Sequence, residues 1–348
     1  MNTFLIVLPV TLLLFTILSL IRNDYWTFRV FDYPRLQKLT LSVLCLVLIL
    51  CFYKDKSVLY WILITLISIN IIYLLYLILP FTILGKKQVL KSGSSKPEQC
   101  ISIMISNVYQ HNTNTQGCIK EIYKANPDVV LLLETNNLWK KGTDELSEKY
   151  PYHVKVPQEN TYGMLLYSKL KLTDSEVKFM VEDDIPSIHT KVILKSGTAI
   201  LLCGVHPTPP SPTENERSKE RDKELLLIGD IVKQQNMPAI VVGDLNDVAW
   251  SHTTSLFLKM SGLLDPRRGR GFFNSFHAGY PFLRFPLDHA FISPDFKLNT
   301  IKRLDNYGSD HFPIFIEVQY EPHNKNNENV MQPDTDDIKE ATEKKNKT

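Results

Sequence analysis

Three long apolar runs occupy the first 84 residues, and they restrict the possible folds more than any other feature. The runs are residues 4–21, 39–53 and 58–84, and none of them contains a charged side chain. A helix needs about 20 apolar residues to cross a bilayer, because lipid offers no hydrogen-bond partners to the backbone. We therefore predict that residues 1–84 form a membrane anchor with three transmembrane helices.

Two of these runs leave an alternative open. The first could be a cleaved signal peptide, although it lacks a basic n-region and a small-residue cleavage site. The second is short and could be a buried or re-entrant helix, although Lys38 and Lys54 at its ends could reach the headgroups. Between the first two runs, residues 22–38 alternate aromatic residues with arginines, which is typical of the headgroup level. We expect this segment to lie at the membrane interface.

The positions of lysine and arginine bear on the orientation of the chain. Residues 22–38 carry three arginines and one lysine, residues 86–91 carry three lysines, and the intervening loop at 54–57 carries two. The positive-inside rule would place the first loop and the large C-terminal domain in the cytoplasm. Long domains can cross a membrane largely regardless of charge, so the opposite orientation stays open.

Composition changes sharply after the third run. Residues 85–99 are rich in Lys, Ser, Gly and Pro, which predicts a linker. Residues 100–320 have the composition of a folded domain and are numerous enough to bury a substantial core. Residues 321–348 are rich in Asn, Lys, Glu and Asp with few apolar residues, so we expect a disordered tail.

Between residues 100 and 320, short apolar runs alternate with amphipathic stretches. The predicted strands are 101–106, 129–133, 163–167, 189–194, 199–204, 240–242, 290–292 and 314–318, and the predicted helices are 115–125, 213–235 and 253–261. Many strands with few helices favour an α/β sandwich in which helices cover two sheets.

Polar residues cluster where the predicted strands end or begin. These residues are Asn107, Glu134, His206, Asp244, Asn246, Asp288, Asp310 and His311. A rigid strand beside a polar loop commonly holds catalytic groups. Each residue alone would also suit an ordinary turn or helix cap, so the prediction rests on the whole set.

Three of these residues suggest a metal site. Asn107, Glu134 and Asp310 offer hard oxygen ligands, which suit Mg²⁺ or Mn²⁺ rather than zinc. Such a cation can bind phosphoryl oxygens, offset developing charge and orient a leaving group. These side chains therefore point to phosphoester chemistry.

Hydrolysis of a phosphoester also needs a water molecule held in line with the scissile P–O bond. A carboxylate with a nearby amide, as in Asp244 and Asn246, could orient and deprotonate that water. A histidine beside a carboxylate can stabilise the negative transition state or move protons, and His206 and His311 are the candidates.

Six segments resemble the successive motifs of a known superfamily. They are SNVYQ, DVVLLLETN, GVHPTPP, VVGDLND, PLDHAFIS and GSDHFPIFIEV, which look like the motifs of the endonuclease/exonuclease/phosphatase superfamily in the order of that superfamily. Its members include DNase I-like nucleases, sphingomyelinases and inositol polyphosphate 5-phosphatases. The resemblance covers residues 100–320. The aromatic-rich WTFRVFDYPRLQ after the first run resembles the membrane-anchored bacterial branch, which includes phosphatases thought to act on prenyl pyrophosphates.

The resemblance implies a DNase I-like, four-layer α/β sandwich with two central sheets, here preceded by three transmembrane helices. It also implies a metal site in which Glu134 is the main ligand, Asn107 lies beside it and Asp310 adds a further carboxylate. The bacterial branch implies a multi-pass protein of the bacterial inner (cytoplasmic) membrane.

The resemblance implies catalytic roles as well. Asp244 would orient or activate the water, and Asn246 would support Asp244 and touch phosphate. His311 would contact the scissile phosphate, with Asp288 paired to it as orienter. His206 would be the second phosphate-facing histidine.

Three assignments stay open at this point. The superfamily pattern requires a carboxylate that orients His206, and Asp183 and Asp184 are only candidates for it. Arg284 could reach an anionic substrate or be an ordinary surface arginine. His289 is interpreted as structural rather than catalytic.

The favoured function is a membrane-anchored, metal-dependent phosphoesterase that hydrolyses a phosphate ester or pyrophosphate by in-line attack of an activated water. Its expected partners are a phosphorylated substrate, which could be lipid-linked, and membrane lipid, with no protein partner implied.

The alternative is a membrane-tethered DNase I-like nuclease. The net charge of +2 weighs against nucleic acid, which normally binds clustered Lys and Arg, although Arg267, Arg268 and Arg270 form a candidate patch. A third hypothesis is a non-enzymatic membrane scaffold.

Overall fold

The computed structural model describes residues 2–323 and 326–346. Its helices are α1 (Asn2–Leu20), α2 (Trp26–Arg29), α3 (Arg35–Phe52), α4 (Val58–Ile78), α5 (Thr115–Ala125), α6 (Asn137–Gly142), α7 (Leu146–Lys149), α8 (Lys219–Gln235), α9 (His252–Ser261) and α10 (Thr335–Asn346). Its strands are β1 (Cys100–Asn107), β2 (Val129–Leu133), β3 (Tyr152–Val156), β4 (Met164–Ser168), β5 (Leu172–Lys178), β6 (Ser187–Ile193), β7 (Ala199–Val205), β8 (Ala239–Asp244), β9 (Asp288–Ile292), β10 (Phe296–Arg303) and β11 (Ile314–Tyr320).

Two mixed sheets form the centre of the C-terminal domain. The first has the strand order β10-β11-β1-β2-β4-β3 and the second has the order β5-β6-β7-β8-β9. Most neighbours run antiparallel, but β1 pairs parallel with β2 and β7 pairs parallel with β8. The predicted DNase I-like α/β sandwich is therefore confirmed, and it follows three long apolar helices.

Alternating side chains along β1 explain how the sheets pack into layers. Ile101, Ile103 and Ile105 join the apolar cluster between the two sheets. Met104 points the other way and joins the cluster under α5 and α6. Such alternation is what a strand buried on both faces requires, because successive side chains point to opposite faces of the sheet.

Three strands were not predicted from the sequence, and all of them lie at sheet edges. β3 and β10 border the first sheet, and β5 borders the second. Along β5 most side chains are exposed or half-buried, so the strand has no apolar pattern to detect. The helix predicted at 213–235 begins later, at Lys219, because residues 213–218 form a loop.

The three N-terminal apolar helices pack against one another. Three candidate spans, Thr3–Leu20, Arg35–Phe52 and Val58–Phe81, are long and apolar enough to cross a membrane. Cys45, Ile49 and Ile67 are fully buried where the helices meet. Many apolar side chains on the outer faces are exposed, as expected for a bundle that lipid surrounds.

The chain between α1 and α3 packs directly on the C-terminal domain, and we call residues 22–35 the docking segment. Arg35 donates to the backbone oxygen of Trp250 (2.6 Å) and to the Asp32 carboxylate (2.9 Å). The indole N–H of Trp250 donates to the backbone oxygen of Asp32 (2.8 Å). Residues predicted to lie at the membrane interface therefore also form an interface with the domain.

The predicted linker, residues 85–99, is partly packed rather than free. Val89 is fully buried in the cluster between the sheets, and Lys91 forms a backbone bridge with Leu298 on β10. The Gln88 side chain accepts a hydrogen bond from the backbone of Asp265 (2.9 Å). The anchor and the domain are thus joined by an ordered connection.

The expectation of a disordered tail is corrected by α10. This helix packs on α8 and α9 through Ala341, which is fully buried. Lys344 contacts Asp222 (2.5 Å), and Glu340 accepts from His252 (2.8 Å). A polar segment can be ordered in this way when its charges meet opposite charges on the surface that it covers.

Glu224 on α8 is a buried carboxyl group outside the predicted site. It is 2% exposed, and none of the described residues forms a hydrogen bond with its Oε1 atom. Burial and the nearby Glu182 raise the pKa of Glu224 to about 8. Because the folded state holds this proton more tightly than the unfolded state, Glu224 should destabilise the fold as pH rises from about 4.5 to about 8.

Replacing Glu224 with glutamine is therefore expected to stabilise the protein at alkaline pH. We expect a gain on the order of 3 kcal/mol at about pH 9 and little change at about pH 5. Thermal melting of the detergent-solubilised protein at both pH values would measure this, with Glu148→Gln on α7 as the exposed control. An equal effect at both pH values would contradict the assignment.

Candidate active site

Sheet topology gathers the predicted site residues at one edge of the sandwich. The parallel pairs bring the carboxyl end of β1 beside that of β2, and the end of β7 beside that of β8. In the antiparallel pair of β8 and β9, Asp244 lies directly opposite Asp288. Asn107, Glu134 and His206 lie at the other three strand ends. Residues that are far apart in the sequence therefore lie close together in space.

His311 forms the centre of a buried group of charges. Its Nδ1 atom lies 2.7 Å from a carboxylate oxygen of Asp288, and its Nε2 atom lies 3.5 Å from Asp244. Burial alone would lower the pKa of His311, but Asp288 and Asp244 raise it to about 10. The ring is therefore protonated at neutral pH and can donate a charge-assisted hydrogen bond.

Asn107 links this group to Glu134. Its amide nitrogen donates to the carboxylates of Glu134 (2.8 Å) and Asp244 (3.2 Å). Glu134 also accepts from the backbone N–H of Gln110 (3.2 Å). A continuous chain of polar contacts thus runs from Glu134 through Asn107 and Asp244 to His311.

Backbone geometry at the strand ends aims these side chains. Glu134 and Asn246 both adopt left-handed conformations (φ 58° and 50°), which cost a non-glycine residue about 1–2 kcal/mol. At Gly243, a Cβ atom would lie 1.8 Å from the backbone oxygen of Val205, its neighbour on β7. The glycine of the GDLN segment therefore allows β7 and β8 to approach closely just before the site.

Asn246 holds two loops together. Its backbone N–H donates to Asp244 (2.9 Å), and its side-chain amide donates to the backbone oxygen of Pro207 (3.0 Å), beside His206. Its backbone oxygen accepts from the Tyr33 hydroxyl (3.0 Å) and from Arg221 (2.8 Å).

Sequence reasoning missed Tyr33, because it lies in the docking segment, 213 residues from Asn246. Burial raises the pKa of Tyr33, so its hydroxyl stays protonated and can donate. A side chain from between the first two apolar helices therefore supports the loop that follows β8.

His206 lies in the same cluster. The superfamily pattern requires a carboxylate that orients its ring, but no described carboxylate is hydrogen-bonded to its Nδ1 atom. The residue is 3% exposed and its Nδ1 atom has no hydrogen-bond partner in the described part of the chain. Its ring packs on Tyr162 with centroids 5.1 Å apart. Asp184 accepts instead from the Asn160 amide (3.1 Å). Tyr162 was also missed, since an aromatic residue at the start of a strand resembles ordinary core.

Asp310 precedes His311 and makes its described contacts with Ser309 and Ala278. Its backbone oxygen accepts from Ala278 (2.6 Å), and its carboxylate lies 3.5 Å from the Ser309 hydroxyl. Among the described contacts, none joins its carboxylate to Glu134 or Asn107. Its place at the metal therefore stays a prediction.

Two groups of side chains could hold a cation. One ligand atom from each of Asp244, Asp288 and His311 lies within 4.8 Å of the others. The protonated His311 ring, however, has no lone pair to offer a metal. Glu134 receives hydrogen bonds only from amides, and its enclosure raises its pKa, so a cation there would balance its charge. Hard oxygen donors around Glu134 fit a divalent cation of the Mg²⁺ class.

The three arginines proposed to bind nucleic acid are engaged in contacts within the protein, with Arg267 buried and Arg268 and Arg270 half-buried. Arg267 is 3% exposed, pairs with Asp265 (2.9 Å) and contacts the ring of His289 (2.6 Å). Arg270 donates to the backbone oxygen of Val89 (2.5 Å), and the Arg268 guanidinium packs on Phe81. These arginines hold the domain together instead of presenting charge to a ligand.

The site residues lie within a segment that matches a known protein family. The sequence model of the Endonuclease/Exonuclease/phosphatase family matches residues 106–311, which extend from the end of β1 to His311. The chain belongs to this family. The predicted enzyme class, a metal-dependent hydrolase acting on phosphoester bonds, is that of the family. A comparison with curated proteins found no match.

Solved structures with the same fold cover nearly two-thirds of the chain. D. rerio TDP2 complexed with a single-strand DNA product is 16% identical, has a TM-score of 0.54, and aligns over 63% of this chain and 99% of that chain. The human Nocturnin catalytic domain with bound sulfate is 17% identical, has a TM-score of 0.52, and aligns over 65% and 96%. A family protein from Bacteroides thetaiotaomicron is 18% identical, has a TM-score of 0.53, and aligns over 64% and 98%. At these identities the likeness concerns the fold.

Proposed function

We propose that this protein is a membrane-anchored phosphoesterase that uses Mg²⁺ or Mn²⁺ to hydrolyse a phosphate ester or pyrophosphate. The observation that carries the proposal is the polar chain from Glu134 through Asn107 and Asp244 to His311 and Asp288. This arrangement supports a cation site, a general base and a charged donor beside one another, which is what phosphoester hydrolysis requires.

Glu134, with Asn107 and Asp310, would hold the metal. When bound, such a cation offsets negative charge on phosphoryl oxygens. The carboxylate of Glu134 has no cationic side chain hydrogen-bonded to it among the described residues, so it is available for this role.

Asp244 would orient a water molecule and accept its proton as the water attacks phosphorus. Its carboxylate is held by the Asn246 N–H and the Asn107 amide. The protonated His311, oriented by Asp288, would donate to a phosphoryl oxygen in the transition state, and His206 would approach a second one. One water is consumed, the P–O bond to the leaving group breaks, and the leaving oxygen takes up a proton.

The three apolar helices support a multi-pass anchor, and the resemblance to the bacterial branch supports the bacterial inner membrane. The docking segment lies between the end of α1 and the start of α3 and contacts the catalytic domain. These contacts support a catalytic domain on the same side of the membrane as the C-terminal ends of α1 and α4. A nuclease is less favoured, because Arg267 is buried and the half-buried Arg268 and Arg270 are engaged in contacts within the protein. A scaffold is disfavoured by the complete polar chain at the site.

Metal titration tests the proposal. We expect the full-length protein in detergent to hydrolyse an aryl phosphodiester or a prenyl pyrophosphate with Mg²⁺ or Mn²⁺ and to lose activity with chelator. Glu134→Gln should raise the half-saturating metal concentration at least tenfold, in line with about 10- to 100-fold losses at metal-site residues. Glu159→Gln, in a loop, serves as the control. Chelator-resistant turnover, or none on a broad phosphoester panel, would refute the proposal.

A further inference from the structure

One short loop connects the catalytic histidine with a membrane helix. We call residues 276–285 the bridging loop, because the backbones of Phe276 and Phe285 pair at its base. The Phe276 ring packs on His311 with centroids 4.9 Å apart. At the tip, the backbone oxygen of Phe282 accepts from the Gln37 side chain on α3 (2.7 Å). The loop therefore contacts the site at one end and the start of α3 at the other.

The length of the bridging loop limits the distance between these two places. Phe282 is three residues from Phe285, and a chain spans at most about 3.3–3.6 Å per residue. The tip therefore lies within roughly 11 Å of the base that contacts the site. A substrate with its phosphate at His311 would have α3 within reach of its hydrocarbon chain.

A groove lies between the bridging loop and α3, and we call it the tail groove. Its volume is about 380 Å³. Apolar side chains from both elements line it, Leu36 and Leu41 from α3 and Pro281 and Phe282 from the loop. Arg284 lines it as well and returns toward the active site. The groove thus combines four apolar side chains with the uncharged polar side chains of Gln37, Thr40 and Asn274, and its one charged side chain, Arg284, also packs on Phe312 beside His311.

The tip of the bridging loop exposes large apolar side chains. Tyr280, Phe282 and Leu283 are 60%, 88% and 52% exposed. Adjacent exposed apolar residues mark an interaction surface, and aromatic residues favour the interface between lipid and water. Since the tip touches the first turn of a candidate span, the surface that it meets is the bilayer that contains α3.

Two arginines stand between the tail groove and the active site without a counter-charge. The guanidinium groups of Arg284 and Arg303 lie 4.9 Å and 4.2 Å from the ring centroid of Phe312, the residue after His311. Arg284 donates to the backbone oxygen of Ala278 (3.0 Å), and within the described residues neither arginine makes an ion pair. Two neighbouring unpaired guanidinium groups attract an anion such as phosphate.

We infer that the tail groove binds the hydrocarbon chain of a phosphorylated membrane lipid whose phosphate group lies between His311 and the arginines. This inference rests on the proposed function and names its substrate class. The groove takes the chain from the bilayer beside α3, and Arg284 and Arg303 hold charge on the head group. Specificity for a lipid thus arises from a surface that the anchor and the catalytic domain build together.

Paired substrates that differ only in chain length test this inference. Full-length protein in detergent micelles would be assayed with p-nitrophenyl hexadecyl phosphate against p-nitrophenyl methyl phosphate, and with hexadecyl diphosphate against methyl diphosphate. Wild type should favour the long chain. Phe282→Ser should lower the ratio of kcat/KM for long over short chain about tenfold, since the long alkyl chain would lose its apolar contact with the phenyl ring. Thr40→Trp, which fills the groove from α3, should do the same.

Phe179→Ser serves as the matched control, because Phe179 is an exposed phenylalanine outside the groove. It should leave the ratio of wild type unchanged. Equal turnover of long and short chains by wild type, or an unchanged ratio in both groove variants, would overturn the inference while leaving the proposed function intact. Absence of turnover on all four substrates would overturn the proposed function and this inference with it.

Discussion

Replacing His311 with glutamine is expected to lower kcat by about three orders of magnitude, within the range for a catalytic acid or base. The buried ring carries its proton between Asp288 and Asp244, so it supplies positive charge where the phosphoryl group becomes more negative. Glutamine keeps a donor but loses the charge. Steady-state hydrolysis of an aryl phosphodiester at saturating Mg²⁺ would measure the loss.

His153→Gln is the matched control, because His153 is exposed on the edge strand β3. It should keep wild-type activity. An His311 variant that retains more than about a tenth of the wild-type kcat would contradict a catalytic role for the ring.

The pH dependence of kcat/KM should reflect the charges around His311. The raised pKa of His311, about 10, keeps the ring protonated below that pH, so activity should fall only as pH rises through it. Asp288→Asn removes the carboxylate that contacts Nδ1, and the pKa of His311 should then fall. The alkaline limit of kcat/KM should therefore move to lower pH, whereas Asp184→Asn should leave it in place.

A shortened chain that begins at residue 85, and so keeps the packed residues Gln88, Val89 and Lys91, is expected to lose about two orders of magnitude in kcat/KM relative to the full-length protein, or roughly 2.7 kcal/mol of transition-state stabilisation. Without the docking segment, the backbone oxygen of Asn246 loses the Tyr33 hydroxyl, and Trp250 loses Asp32 and Arg35. These contacts lie on the loop that directly follows Asp244, the proposed base at the end of β8. Assay of both proteins in the same detergent on a short, water-soluble ester would measure the difference.

Single substitutions in the full-length protein separate this effect from general instability. Tyr33→Phe deletes one hydrogen bond, worth about 1 kcal/mol, and should lower kcat roughly fivefold with little change in KM. Tyr76→Phe, at an exposed position on α4, should have no effect. A shortened chain as active as the full-length protein would show that the docking segment does not support the catalytic loop.

The sequence predicts the centre of this fold better than its margins. β1, β2, β7 and β8 are mostly apolar because both of their faces are buried, and such runs are detectable in a sequence. The edge strands β3 and β5 are half-buried or exposed along their length, and β10 is buried only over its first three residues, so all three lack that signal. The helix α10 is nearly all polar, and its packing depends on ion pairs with distant residues that no local pattern reveals.

The candidate site likewise contains some residues that the sequence predicts and others that only the tertiary structure reveals. Asn107, Glu134 and Asp244 were predicted because each follows a buried strand, and a parallel pair of strands brings such ends together. Tyr33 and Tyr162 were missed because their roles arise from contacts across the tertiary structure. Sequence position alone does not show that a residue between two apolar helices contacts the loop that follows β8.

The packed connection at Val89 and Lys91 limits where the catalytic domain can go. A flexible tether would let the site move through a volume of solution, whereas with the proposed membrane anchor this ordered connection would hold the site at one height and one tilt above the bilayer. Encounter with a substrate dissolved in that bilayer would then be a two-dimensional process of lateral diffusion. Turnover would follow the mole fraction of that substrate in the leaflet, and diluting it with inert lipid would slow the enzyme at constant bulk concentration.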